Sequence, residues 1–165
     1  MFALVSLLIL SSSMMRRKVF VFARAGGQGK LADLSRLRSV RVMVIDDSNT
    51  IRRSAEIFLV QAGCEVVLAE DGFDALAKIT DLQPSVIFCD IMMPRLDGYQ
   101  TCALIKKNPR FKATPVIMLS SKDGLFDRAR GRMVGSDQYL TKPFTKESLL
   151  QTVATFACPA ETANS

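Results

Sequence analysis

Beyond residue 40 the chain carries four short, unbroken apolar runs: Val42-Met43-Val44-Ile45, Val66-Val67-Leu68-Ala69, Val86-Ile87-Phe88-Cys89 and Val116-Ile117-Met118-Leu119. A strand with one wet face alternates apolar and polar positions. A strand buried on both faces reads instead as a continuous run, as in a parallel sheet. Between the runs the period becomes helical. Ile51, Ala55, Phe58, Leu59 and Ala62 recur at i, i+4, i+7, i+8 and i+11, with Ser48 as the expected N-cap and Gly63 as the stop. Leu76, Ala77 and Ile79 follow Asp71-Gly72, and Cys102, Ala103 and Ile105 follow Gly98. Gln83-Pro84 and Ala113-Thr114-Pro115 close these two helical stretches. A fourth helix carries Leu125, Phe126, Ala129 and Met133 among Arg128, Arg130 and Arg132. A weaker fifth strand, Gln138-Tyr139-Leu140, precedes a last helix with Leu149, Leu150, Val153 and Ala157 after the cap candidate Thr145.

Five strand–helix units in succession predict one α/β domain over residues 40–157, a doubly wound five-stranded parallel sheet with helices on both faces. Residues 158–165 form a short tail, too small for an effector domain, so the expected output is binding to another molecule. Residues 1–39 read as an N-terminal extension. They open on the apolar stretch MFALVSLLIL, pass through Arg16-Arg17-Lys18 and end in a flexible Ala-Gly-Gly-Gln-Gly-Lys segment at 25–30. A start codon placed too far upstream is the favoured reading; a disordered extension and an export or membrane signal are the alternatives. The charge follows the apolar stretch, whereas a secretory signal has it in front. All strands and candidate site residues lie downstream, so these 39 residues are expected to be dispensable for folding and chemistry.

Net charge changes the picture only by its location. The chain is +6, and residues 1–39 already hold seven bases and one acid, leaving 15 of each for the remainder. The predicted domain is therefore neutral, which argues against nucleic-acid binding despite the basic total. No apolar run reaches the ~18–20 residues of a membrane helix, and no membrane insertion is expected. There is no histidine, and Cys64, Cys89, Cys102 and Cys158 show no CxxC spacing, so a zinc site is not expected. Cys64, Cys89 and Cys102 fall in apolar elements as core residues, consistent with a reducing cytoplasm.

The chemistry lies at strand ends. The first strand ends in Asp46-Asp47, the third in Asp90, the fourth in Ser120-Ser121 and the fifth in Thr141-Lys142-Pro143. In an open parallel sheet, function gathers at the carboxyl ends of the strands near the topological switch point. Two carboxylates ~4 Å apart repel by about 1 kcal/mol in water and about 4 kcal/mol at an effective dielectric of 20. Three therefore call for a cation or a raised pKa. An all-oxygen set with few carboxylates favours Mg²⁺. A phosphoryl group on Asp90 would carry charge that Mg²⁺, Lys142 and a Ser120 hydroxyl would neutralise or hydrogen-bond.

In Val-Ile-Asp-Asp-Ser (44–48), Asp-Ile-Met-Met-Pro-Arg-Leu-Asp-Gly (90–98), Pro-Val-Ile-Met-Leu-Ser-Ser (115–121) and Tyr-Leu-Thr-Lys-Pro-Phe (139–144), the chain resembles the response-regulator receiver family. The resemblance implies a flavodoxin-like strand order 2-1-3-4-5. It makes Asp90 the phosphoacceptor, with Asp46, Asp47, Asp90 and the Met92 carbonyl as ligands of Mg²⁺. Lys142 and Ser120 would stabilise the phosphoryl group. Ser120 and Tyr139 would form the switch, and Pro143 would follow a cis peptide bond. Partners would be a chemotaxis-like histidine kinase and a protein effector docking on the α4–β5–α5 face, in the cytoplasm. Asp71-Gly-Phe-Asp-Ala-Leu-Ala-Lys-Ile, Gly98-Tyr-Gln-Thr-Cys-Ala-Leu-Ile-Lys and the stretch from Ser121 to Arg132 resemble that family's regulators of type IV pilus twitching motility. A receiver is a switch, not an enzyme. A receiver controlling another chemotaxis-like output is the first alternative, and a Mg²⁺-dependent phosphohydrolase of the haloacid-dehalogenase type the weaker one, because Met92 stands where such enzymes place a second acid.

Overall fold

The computed structural model describes residues 34–121 and 125–157, with side chains over 36–121 and 129–157. The Gly-rich segment, Cys158 and the side chains of Leu125, Phe126 and Arg128 lie outside the described residues. A 3-10 turn (Leu34–Leu37) leads into β1 (Arg41–Ile45), α1 (Asn49–Gln61), β2 (Glu65–Ala69), α2 (Gly72–Leu82), β3 (Val86–Asp90) and α3 (Gly98–Lys107). Then follow β4 (Val116–Ser120), α4 (Leu125–Val134), β5 (Gln138–Thr141) and α5 (Lys146–Ala157). All pairings are parallel, in the order β2-β1-β3-β4-β5, as expected.

The continuous apolar runs hide a strict alternation. Met43 and Ile45, Ile87 and Cys89, and Val116 and Met118 enter one core cluster with α2 and α3. Their neighbours Val42 and Val44, Val86 and Phe88, and Ile117 and Leu119 enter a second with α1 and α5. Each central strand buries both faces, so its inner positions are apolar on either side and polar residues come only at its ends. The edge strands β2 and β5 are half-exposed. Cys64, Cys89 and Cys102 are buried and form no disulfide. Burial pushes the Cys89 thiol well above its ordinary range and the Cys102 thiol up to about 11, so both stay protonated core groups.

The helix caps follow the sequence closely. Ser48 caps α1 by accepting the Ile51 N–H at 3.4 Å, and Gly63 ends the helix at φ +93°. Asp97 and Gln100 form a reciprocal capping box on α3, and Thr145 accepts the Ser148 N–H at the start of α5. Packing begins before residue 40, because Leu37 is 0% exposed and sits in the second cluster with Leu149, Leu150 and Val153 of α5.

At the amino end of the sheet, Lys106 Nζ donates to Asp137 Oδ2 and to the Thr114 carbonyl, each at 2.8 Å. The same Asp137 oxygen accepts the Val116 N–H at 2.8 Å. This carboxylate thus ties α3 to the starts of β4 and β5. Asp137→Ala leaves a largely enclosed ammonium and an amide short of an acceptor, and should lower stability by about 1–2 kcal/mol. A urea midpoint that falls at unchanged slope would check it, with exposed Lys107→Ala as the near-neutral control.

Candidate functional site

The strand order reverses between β1 and β3, and the carboxyl ends of these two strands open side by side. Asp46 and Asp47 follow β1, and Asp90 is the last residue of β3. Ser120 ends β4 one strand further along, and Lys142 follows β5. The sheet therefore arrays these side chains along one rim. Oxygens of Asp46, Asp47 and Asp90 lie within 4.8 Å of one another, with Asp46 and Asp90 buried and Asp47 exposed. Lys142 Nζ donates to Asp90 Oδ1 at 2.7 Å and to Asp46 Oδ2 at 3.0 Å. The other Asp46 oxygen accepts the Ser48 N–H at 2.8 Å, and Arg52 donates to the Asp46 carbonyl at 2.6 Å. Asp46 is thereby fixed on three sides.

Burial raises the Asp90 pKa, and the nearby Asp46 charge adds to that. The Lys142 hydrogen bond and the Met92 backbone amide act in the opposite direction without cancelling the rise. For Lys142, burial alone would favour the neutral amine. Its hydrogen bonds to Asp90 and Asp46 outweigh burial, and the net effect holds the ammonium above its usual range. Three carboxylates face one ammonium, which leaves an uncompensated negative charge over an oxygen-only donor set, part of it open to water. Such a set fits a hard divalent cation of the Mg²⁺ kind.

The loop from β3 to α3 borders this cluster. Its ends are held by Ile91 N–H to the Leu119 carbonyl (3.1 Å) and Gly98 N–H to the Ile91 carbonyl (3.0 Å). At its middle, Arg95 adopts φ +67° and its guanidinium donates to the Asp71 carboxylate, while Cζ lies 5.6 Å from the Phe73 ring centroid. Asp71 is also the α2 N-cap; the Asp74 amide, and then Arg95, hold its pKa below the usual value. Met92, 74% exposed, stands at the edge of an open groove of about 440 Å³ lined by Asp47, Met93, Pro94, Tyr99 and Arg130. Arg130 lies 4.5 Å over the Tyr99 ring and 3.8 Å from the Asp97 carboxylate. Tyr139 is half-buried on β5, with its hydroxyl donating to the Tyr99 hydroxyl at 3.4 Å. The Lys142–Pro143 peptide bond is cis.

Sequence reasoning left Arg95, Tyr99 and Arg130 without roles. Arg130, one of the three arginines of α4, stacks on Tyr99 and pairs with Asp97 while staying largely exposed. The Arg95–Asp71 pair joins residues 24 apart, and the tyrosine pair joins residues 40 apart. Neither separation follows a helix or strand period.

Residues 42–154 match the family described as the response regulator receiver domain. The chain belongs to that family. It is 75% identical over 111 residues to Protein PilG of Pseudomonas aeruginosa, a match covering 67% of this chain and 82% of PilG. It is 38% identical over 112 residues to Response regulator MprA of Mycobacterium bovis, covering 68% of this chain and 48% of MprA. Among solved structures, the chemotaxis protein CheY4 of Vibrio cholerae superposes with a TM-score of 0.70 at 34% identity, over 72% of this chain and 98% of CheY4. As a receiver of this kind the chain is a phosphorylatable response regulator, and its relatives are signalling proteins. Among the described residues no helix is long and apolar enough to cross a membrane.

Proposed function

We propose that Asp90 accepts a phosphoryl group from the phosphohistidine of a chemotaxis-like histidine kinase, and that the phosphorylated receiver signals by protein–protein binding. The observation that carries this is Lys142 Nζ, bonded at once to Asp90 and Asp46 within the three-carboxylate cluster. An ammonium so held stands where the equatorial oxygens of a phosphoryl group on Asp90 would gather charge. An Asp90 carboxylate oxygen forms the new bond to phosphorus, the P–N bond breaks, and the imidazole leaves with its electron pair. Asp46, Asp47, Asp90 and the Met92 carbonyl would hold Mg²⁺, which supplies charge neutralisation at the transferred group. The Ser120 hydroxyl gives that group a hydrogen bond at the end of β4. Tyr139 then carries the change to the α4–β5–α5 face, where the effector docks.

The identity to PilG supports a place in twitching motility driven by type IV pili. Among the described residues Cys64, Cys89 and Cys102 are buried and outside any disulfide, which fits a reducing cytoplasm. Phosphohydrolase activity is not favoured, since Met92 offers no second carboxylate beyond Asp90.

Incubation with acetyl phosphate and Mg²⁺, followed by peptide mapping, tests the assignment. One phosphate is expected on Asp90 and none in Asp90→Asn. Asp47→Ala should lose Mg²⁺ binding by calorimetry together with phosphate uptake. Phosphate on any other residue, or undiminished uptake in chelator, sinks the scheme.

A further inference from the structure

The chain has two tyrosines and no tryptophan, and the two tyrosines meet hydroxyl to hydroxyl at 3.4 Å. Tyr99 lies in the first turn of α3 and is 4% exposed. It is a fixed partner: the Arg130 guanidinium covers its ring at 4.5 Å and is tethered to Asp97, the N-cap of the same helix. Tyr139 comes from β5, at the sheet edge, and packs against the core cluster to which Tyr99 belongs. The space its ring fills is bounded by Gly131 of α4. A Cβ built on Gly131 would come within 2.5 Å of Tyr139 Oη and 2.8 Å of its Cε2. A methyl group there cannot coexist with the ring in this position.

From this geometry we propose that Tyr99 is the positioning residue for Tyr139: its hydroxyl holds the Tyr139 ring in the inward position, and Gly131 keeps that position open. The proposal deepens the reading of Tyr139 as the output residue and rests on it for its biological meaning. A switch residue moves between two places, and anything bonded to it in only one of them shifts the ratio. The Tyr99 hydroxyl is such a group. Its removal weakens the inward state by one neutral hydrogen bond, which corresponds to about a two- to tenfold change in the inward-to-outward ratio. The bond is the long, neutral kind, so the change belongs toward the lower end. Tyr99 also lines the groove beside Asp47 and Met92. It therefore joins the phosphorylation rim to the output edge of the sheet through one side chain.

Tyr99→Phe separates positioning from packing, because the ring and its cover by Arg130 remain and only Oη is lost. The full chain is labelled with ring-¹³C tyrosine, giving two signals assigned by Tyr99→Phe and Tyr139→Phe. Gly131→Ala supplies the outward reference for Tyr139, and wild type with beryllofluoride and Mg²⁺ supplies the inward one. In Tyr99→Phe the Tyr139 signal should move toward the Gly131→Ala position, and beryllofluoride with Mg²⁺ should draw it back. If Gly131→Ala does not fold, the cross-relaxation from the Tyr139 ring to the Gly131 α-protons replaces it. That signal should weaken in Tyr99→Phe. A Tyr139 signal that coincides with wild type in Tyr99→Phe overturns the proposal. If Tyr99→Phe moves the signal but beryllofluoride with Mg²⁺ does not draw it back in that variant, Tyr99 positions the ring as proposed. What fails then is the reading of Tyr139 as the output residue.

Discussion

A chain that begins at Val40 should be less stable than one that begins at Leu34 by about 2–5 kcal/mol, because Leu37 is lost with the leading segment. Leu37 is fully buried and packs into the cluster formed by α1, α5 and one face of β1, β3 and β4. Its carbonyl accepts the Val40 N–H at 3.2 Å, and the next turn is tied to the α1–β2 loop by the Ser39 N–H on the Gly63 carbonyl at 2.9 Å. Removing the segment opens a cavity beneath α5 and frees that carbonyl. That result would narrow the expectation that all of residues 1–39 are dispensable to the part before the 3-10 turn. Leu37→Ala in the full chain should reproduce most of the loss, since the side chain carries it. Urea unfolding of the three chains is the measurement. Equal midpoints for the Val40 and Leu34 starts would mean that Leu37 contributes nothing. Phosphate uptake by the folded fraction should not change, because this contact is at the amino end of the sheet and the carboxylates are at the other.

How much could be read beforehand follows from where each residue sits. Central strands bury both faces, and an unbroken apolar run has few other uses, so β1, β3 and β4 stand out in the sequence. β5 is the faintest because an edge strand needs apolar residues on one side only, and it is half-exposed. The candidate site was legible for a related reason. Strand ends are marked by the switch from apolar to polar, so Asp46, Asp90, Ser120 and Lys142 can be placed on one rim before any distance is known. Leu37 was not legible. It is a leucine between Arg36 and Arg38, in a basic segment that reads as an extension ahead of the domain. Arg95 was also hidden, because its role depends on a left-handed backbone turn that brings a surface residue onto the cap of another helix. Arg130 and Tyr99 required the packing of α4 on α3, which leaves no periodic trace in either helix.

Gly98→Ala should damage fold and site together, with a loss of about 3 kcal/mol or more. The reason is the kind of atom it meets. A Cβ at Gly98 would lie 2.1 Å from the Asp90 carbonyl oxygen, 2.9 Å from the Asp90 carbonyl carbon and 2.8 Å from Ile91 Cα. All three are backbone atoms at the end of β3, pinned by the Ile91 N–H on the Leu119 carbonyl and by the Gly98 N–H on the Ile91 carbonyl. No rotamer change relieves such a contact, so α3 must withdraw or the Asp90 peptide must turn. Gly72→Ala makes a useful comparison. Its nearest obstacles are the side chains of Thr101 at 2.2 Å and Leu96 at 2.7 Å, and a leucine tip can move aside. Gly72→Ala should therefore cost less and leave phosphate uptake nearer to wild type. For Gly98→Ala, either movement disturbs the angle at which Asp90 meets Lys142, so uptake from acetyl phosphate per folded molecule should fall as well. A Gly98→Ala protein within 0.5 kcal/mol of wild type in urea would show that α3 accommodates the methyl group. Normal uptake per folded molecule would show that the Asp90 peptide had not moved.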